Sequence, residues 1–286
     1  MLRKSGFLGA VMAALAVFAV PAQAAWSGLN MTRGVTTLSG DIYSLHMLIL
    51  WVCVVIGIAV FGVMIFSLVK FRKSQGAVPD TTMVHSTKAE IIWTAIPVII
   101  LVGMAVPAAR TLIKLEDASK TQVTIKVTAY QWKWQYEYLG EGVSFFSTLS
   151  RDSDAARQLD SGIDPLGVQN YLLDVDNRLV VPVGKKVRLL VTSQDVIHAW
   201  WVPALAVKKD AIPGVMNELW FQIQPDRVGV YRGQCAELCG RDHGFMPIVV
   251  EAKSPEDYAA WLATKKPAPA ALDAAPAATV AANVAN

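Results

Sequence analysis

Two stretches of the chain are apolar without interruption: 23 residues from Met47 to Val69 and 19 from Ile91 to Ala109 contain no charge. Each approaches the ~20 residues that a helix needs to cross a bilayer. The pattern therefore predicts two membrane-spanning helices, over 42–70 and 88–113, joined by a loop over 71–87. Around that loop stand Lys70, Arg72, Lys73 and Lys88 against Asp80 alone. Such an excess places it on the cytoplasmic side and both ends of the mature chain outside. Pro97 and Pro107 lie inside the second run, costly in water but relieved in lipid by neighbouring helices, which points to a partner membrane subunit. Trp51 and Trp93 read as interfacial anchors, and Cys53 as a small buried hydrophobe.

After Lys114 the texture changes. Val123, Ile125 and Val127 alternate with Thr124, Lys126 and Thr128, the period of a half-buried strand. Further strands are expected at Tyr171–Val175, Arg178–Val181, Lys186–Thr192, Glu218–Gln224, Gly229–Arg232 and Pro247–Ala252, separated by turn-forming Pro, Gly and Asp. Many short strands at this spacing predict a β-sandwich or barrel. The same period puts Tyr130, Trp132, Trp134, Tyr136 and Tyr138 on one face, a stripe of the kind that fills a core. Ser254-Pro255-Glu256-Asp257 opens a capped short helix, and the Ala/Pro-rich residues 267–286 read as a tail. At the other end, Arg3 and Lys4 precede an apolar run from Phe7 to Val20 and then Ala22-Gln23-Ala24. That order describes a secretory signal cleaved after Ala24; the alternative, a retained span, would be short for the bilayer. The resulting plan is signal 1–24, outer segment 25–41, helix hairpin, periplasmic β domain 114–255, and helix plus tail 256–286.

Composition supports this division. Of 286 residues, 53% are apolar and 17% charged, and the mean hydropathy is +0.38. A net charge of +3 gives no argument for nucleic acid. Three cysteines, Cys53, Cys235 and Cys239, are too few for a disulfide framework. Charge is uneven: residues 137–176 hold eight acids against Arg151 and Arg157. Such a run is either a solvated loop or a landing surface for a basic partner.

The densest chemistry is Cys235-Ala-Glu-Leu-Cys239-Gly-Arg-Asp-His243-Gly-Phe-Met246, with His198 upstream. Two thiolates, two imidazoles and a thioether suit copper, for which Met is a weak axial donor. A mononuclear electron-transfer site uses one Cys, so here a thiolate is left over. Two thiolates on one loop can bridge two metal ions, with Met246 and a backbone carbonyl as weak axial donors. The rival, a Cys235–Cys239 disulfide allowed by an oxidising compartment, leaves the histidines unexplained.

With these motifs the sequence resembles subunit II of haem-copper cytochrome c oxidases of the bacterial kind. The resemblance runs from about residue 40 to 265. It rests on Glu90-Ile-Ile-Trp93, Tyr130-Gln-Trp132-Lys-Trp134, Asp195-Val-Ile-His198, Asp210-Ala-Ile-Pro-Gly214 and the cysteine segment through Met246. It implies a membrane-anchored all-β chain in the bacterial inner membrane, a two-helix transmembrane hairpin followed by a periplasmic cupredoxin-like Greek-key sandwich. It further implies a dinuclear copper A centre of two Cu held by His198, Cys235, Cys239, His243, Met246 and the carbonyl of Glu237. The Glu237 side chain would reach a magnesium ion shared with the catalytic subunit I. Trp132 would be the surface point at which electrons arrive from cytochrome c, and subunit III and membrane lipid would be further partners. Glu90 has two compatible readings, a capping box with Thr87 and, by resemblance, the mouth of a proton pathway. No Cys-x-x-Cys-His occurs, so this chain is expected to bind no haem and to take electrons from a separate molecule. Two other functions remain open at this stage: a copper-trafficking protein with a labile site, and an assembly scaffold whose cysteines are incidental.

Overall fold

In the computed structural model, Gly28 and residues 30–79, 81–82 and 84–266 are described. The expected signal segment 1–24 and tail 267–286 lie outside these residues. Helix α1 spans Thr37–Lys70 and helix α2 Thr87–Glu116. Both are long and apolar enough to cross a membrane. In α1 only Leu38 and Ser39 are buried, and in α2 nothing is. Two helices cannot cover each other, so side chains such as Ile58, Val63, Ile99 and Ile113 face outward, as lipid exposure requires.

Helix α1 starts well before its apolar run because a capping box closes its first turn. Thr36 Oγ1 accepts from Ser39 N and Ser39 Oγ accepts from Thr36 N, both at 3.0 Å. The box expected at Thr87 is not formed. Ser86, in extended conformation, is the cap of α2 and accepts from Ala89 N, while Thr87 is already helical. Thr87 Oγ1 instead meets His85 Nε2 at 2.9 Å, and His85 Nδ1 meets Glu90 at 2.8 Å. Lys114 and Asp41 pair across the ends of the two helices nearer the β domain.

The remaining chain forms β1 Val123–Tyr130, β2 Lys133–Tyr138, β3 Val143–Ser147, the short helix α3 Arg151–Ala156, β4 Leu179–Pro182, β5 Val187–Ser193, β6 His198–Val202, β7 Val207–Ala211, β8 Asn217–Phe221, β9 Gly229–Cys235, β10 Pro247–Lys253 and α4 Pro255–Lys265. Two five-stranded sheets result, ordered β3-β2-β1-β5-β8 and β4-β10-β9-β6-β7. Parallel pairs, β1 with β5 and β10 with β4, mix with antiparallel ones. The fold is therefore the expected membrane hairpin followed by a cupredoxin-like β-sandwich.

Several details differ from the sequence reading. Tyr171–Val175 is not a strand: Asn170 and Leu172 take positive φ, which breaks extension, and only Val175 bridges, to Leu149. The aromatic stripe is not one strand either. Gln131-Trp132 is a two-residue turn between β1 and β2, where Tyr130 faces Lys133. Trp134, Tyr136 and Tyr138 are fully buried, whereas Tyr130 and Trp132 are half-exposed. His198 begins a strand, β6, that was not among the expected ones. Strand β7 escaped notice because Lys208-Lys209-Asp210 hides its period, although Val207 and Ala211 are buried at its ends.

The core between the sheets is aromatic. Trp200 stacks on Phe221 with centroids 6.3 Å apart. Tyr138 Oη donates to Val180 O and accepts from Val180 N, so a buried hydroxyl keeps partners. Burial pushes the Tyr138 hydroxyl well above its usual pKa.

Candidate metal centre

One end of the sandwich brings distant ligand types together. Strand β6 opens with His198 and β9 closes with Cys235; their pairing, Trp200 opposite Cys235, sets the register. The loop leaving β9 then returns through Cys239, a short turn at His243–Phe245 and Met246 before β10. Cys235 Sγ and Cys239 Sγ stand 3.8 Å apart. On one side, His198 Nδ1 lies 3.8 Å from Cys235 Sγ, which also donates to Glu237 O at 3.3 Å. On the other, His243 Nδ1 is 3.4 Å and Met246 Sδ 3.5 Å from Cys239 Sγ. The donor atoms of His198, Cys235 and Cys239 all fall within 4.8 Å of one another. No disulfide joins the two cysteines. Soft sulfur and imidazole in this number suit copper, and the clustering of these donors matches that chemistry.

The surroundings orient these groups. His198 is fully buried, and its Nε2 meets Asp195 Oδ1 at 2.9 Å, leaving Nδ1 turned to the sulfurs. Asp195 is itself held by Gln131 N and Val196 N, each at 2.7 Å. Partial burial opposes its charge, but bonds from His198 and those amides win and lower its pKa. His198 is pushed the opposite way: burial would lower it, but Cys235 and Asp195 together raise it. For Cys235, contacts with His198, backbone and Cys239 outweigh burial and lower the thiol pKa, whereas burial and the charge of Cys235 raise that of Cys239. One proton thus leaves the pair more readily than the second.

The expected site residues separate into groups. His198, Cys235, Cys239, His243, Met246 and the Glu237 carbonyl lie together. The Glu237 side chain belongs to an exposed residue beside them. Trp132 stands just outside, and both its Nε1, at 3.1 Å, and Gln131 Nε2, at 2.9 Å, donate to Cys239 O. Glu90 is remote, in the first turn of α2. Sequence reading placed Asp195 and Trp134 in motifs but gave neither a role at the centre. A carboxylate three residues before a ligand histidine is a recognisable orienting pattern. Trp134, which donates to Met246 O at 3.2 Å and packs against the His198 ring, looks in sequence like any core aromatic.

The acidic segment is largely tied up internally. Glu137 pairs with Lys126, Glu141 with Lys266, Asp154 with Arg157, and Asp174 with Arg178 and Arg232. Asp176 accepts from Thr148 N and Asn177 N. Exposed Asp152 and Asp160 have no ion-pair partner among the described residues.

Comparison with known proteins agrees with this picture. Residues 24–111 match the family described as Cytochrome C oxidase subunit II, transmembrane domain, and residues 123–253 its periplasmic domain. The chain is 41% identical over 226 residues to a probable cytochrome c oxidase subunit 2 of Rickettsia bellii, covering 79% of both. It is 39% identical over 238 residues to cytochrome c oxidase subunit 2 of Arabidopsis thaliana, covering 83% of this chain and 89% of that protein. Among solved structures, the periplasmic domain of subunit II of cytochrome oxidase of Bradyrhizobium japonicum matches at 42% identity and a TM-score of 0.45, covering 52% of this chain and 96% of that one.

Proposed function

Because the chain belongs to the cytochrome c oxidase subunit II family, we propose that it is the electron-accepting subunit of the complex. It takes single electrons from reduced cytochrome c and hands them to haem in catalytic subunit I, where oxygen is reduced to water with proton translocation. The observation that carries this reading is the pair of sulfurs 3.8 Å apart, with an imidazole and a weaker donor beside each. His198, Cys235, Cys239, His243, Met246 and the Glu237 carbonyl would hold two copper ions there, which would supply a one-electron couple.

The chain's own residues supply the setting. Asp195 fixes which nitrogen of His198 faces the sulfurs. Buried Cys235, Cys239 and Met246 keep the site dry, which limits the solvent that must rearrange when charge changes. Trp132, half-exposed and bonded to the Cys239 carbonyl, joins the surface to the ligand loop and is the point of arrival for electrons. Exposed Asp152, Asp160 and Asp164 form the landing surface for a basic cytochrome c. The exposed Glu237 side chain would be a ligand to a magnesium ion shared with subunit I. Glu90, held by His85, stands at the proton pathway on the cytoplasmic side, and both chain ends lie in the periplasm. Subunit III and lipid cover the rest of the hairpin.

The test uses the assembled complex. The wild type should contain two copper ions per copy of this chain outside the catalytic subunit and give a spin signal from one electron shared by both. Cys235→Ser should leave the complex assembled while abolishing oxygen consumption with reduced cytochrome c. Full oxygen consumption in that variant would sink the proposal, as would a single-copper signal in the wild type.

A further inference from the structure

His243 stands on a loop, residues 240–246, whose two flanks are held differently. The inner flank is fixed to the core, with Met246 buried and its carbonyl accepting from Trp134 Nε1. The outer flank, with Asp242 and Phe245, faces the segment that contains α3. There Arg157, immediately after that helix, makes three contacts at once. Its Nε donates to Asp154 Oδ1 at 2.8 Å, its Nη1 lies 3.6 Å from Asp242 Oδ1, and its Cζ sits 4.4 Å from the centre of the Phe245 ring.

We infer that Arg157 is a positioning residue, a latch that holds the His243-bearing loop against α3 and so sets how firmly His243 grips a metal. The inference rests on the copper reading for its consequence, while the latch itself is a property of the metal-free chain. Its chemistry belongs to arginine: a planar fork whose edge meets carboxylates and whose face lies on an aromatic ring. The side chains of Arg157 and Asp242 are only 23% and 15% exposed, so solvent screens their attraction less than it would on an open surface. Arg241 also approaches Asp242, at 3.5 Å, and its Cζ lies 5.8 Å from the centre of the Trp132 ring, but its side chain is 83% exposed, so solvent screens these contacts more than those of Arg157. The anchor is firm on the other side. Ser153 of α3 is fully buried and its Oγ accepts from Leu172 N at 3.1 Å.

Asp154, Arg157, Asp242 and Phe245 also border a surface cavity of about 230 Å³, together with Trp132, Thr148 and Leu149. The latch therefore also flanks the indole that bonds the Cys239 carbonyl. His198, by contrast, opens β6 and is oriented by Asp195 in the turn before that strand, away from the contacts that Arg157 makes. Loss of the latch should be felt on the Cys239–His243–Met246 side and not on the His198 side.

Two measurements on the full chain in detergent test this, with Arg157→Gln and Arg157→Lys. In the metal-free chain, amide hydrogen exchange across 240–246 should rise at least about fivefold in Arg157→Gln, with 198–202 unchanged. In the copper-loaded chain, loss of metal to a competing chelator should accelerate about 10-fold or more. Arg157→Lys, which keeps a cation near Phe245 but has no fork, should fall between wild type and Arg157→Gln. Exchange in 240–246 equal to wild type would overturn the latch whatever the copper result, and so would an equal rise in 198–202. Faster exchange with an unchanged rate of copper loss would overturn its role in metal retention. A wild-type chain that fails to hold copper at all would count against the proposed function and leave the exchange result standing.

Discussion

Gly240 sits where the ligand loop turns away from Cys239, with φ +114, a region that side-chain-bearing residues rarely adopt. A Cβ there would lie 3.0 Å from Gln131 Nε2 and 3.1 Å from the Trp132 ring, the two side chains that donate to Cys239 O. Backbone strain and crowding thus act on one point. Gly240→Ala is expected to cost about 1–3 kcal/mol in denaturant unfolding and to shift Trp132 fluorescence as the indole is pushed outward. Unaltered stability and emission would show that the turn relaxes freely. Asp195 illustrates the opposite case, a residue whose role is local and readable. Its spacing to His198 was in plain view, yet only the bonds from Gln131 N and Val196 N show that its carboxylate is pinned.

At the scale of elements, the site depends on β6 and β9 approaching unusually closely. Gly233 in β9 makes this approach feasible: a Cβ on it would fall 2.0 Å from Trp201 O and 2.8 Å from Val202 Cγ2. Since β6 starts with His198 and β9 ends with Cys235, pushing them apart separates two ligands as well as two strands. Gly233→Ala should therefore destabilise the chain toward the upper end of about 1–3 kcal/mol and lower the copper bound per chain, measured by unfolding and metal analysis. Retention of full copper content would mean that this contact does not govern ligand placement. The helices follow a different rule, because lipid, not packing within the chain, accounts for their outward apolar faces. Their N-terminal ends are set by side-chain caps at Thr36 and Ser86.

At the scale of the whole molecule, the membrane hairpin and the β domain are joined by more than the chain between them. Val35 N donates to Ala204 O at 2.9 Å, Gln224 N to Val35 O at 3.0 Å, and Thr36 Oγ1 to Leu205 O at 3.1 Å. Gly34 permits this, since a Cβ there would meet Ala204 O at 2.7 Å. Lys209 reaches back to Glu116 at the end of α2. The segment before α1 thus straps the domain to the helix hairpin, which under the proposed function would fix the height at which a soluble donor meets the site. Under the proposed function, capture of cytochrome c by exposed acids would be an electrostatic event. The second-order rate with cytochrome c should fall as salt rises from 0.1 M to 1 M and the Debye length shrinks from ~10 Å to ~3 Å. A salt-independent rate would exclude the acidic segment as the landing surface, with no bearing on the copper ligands.

The amino-acid sequence alone determined that two helices cross lipid and that a short-stranded β domain follows, because uncharged runs and period-two alternation are local properties of the chain. It also determined the ligand types, since the choice between copper and other metals depends on side-chain chemistry more than on distance. Only the tertiary structure decided where the aromatic stripe breaks at Gln131-Trp132, which puts Trp134 in the core and Trp132 at the surface. It likewise revealed that four of the eight acids of the 137–176 run are held in ion pairs, and that Arg157, far from His243 in sequence, stands against its loop. These are contacts between segments distant along the chain. Their energy depends on separation and burial in space, which a linear pattern does not contain.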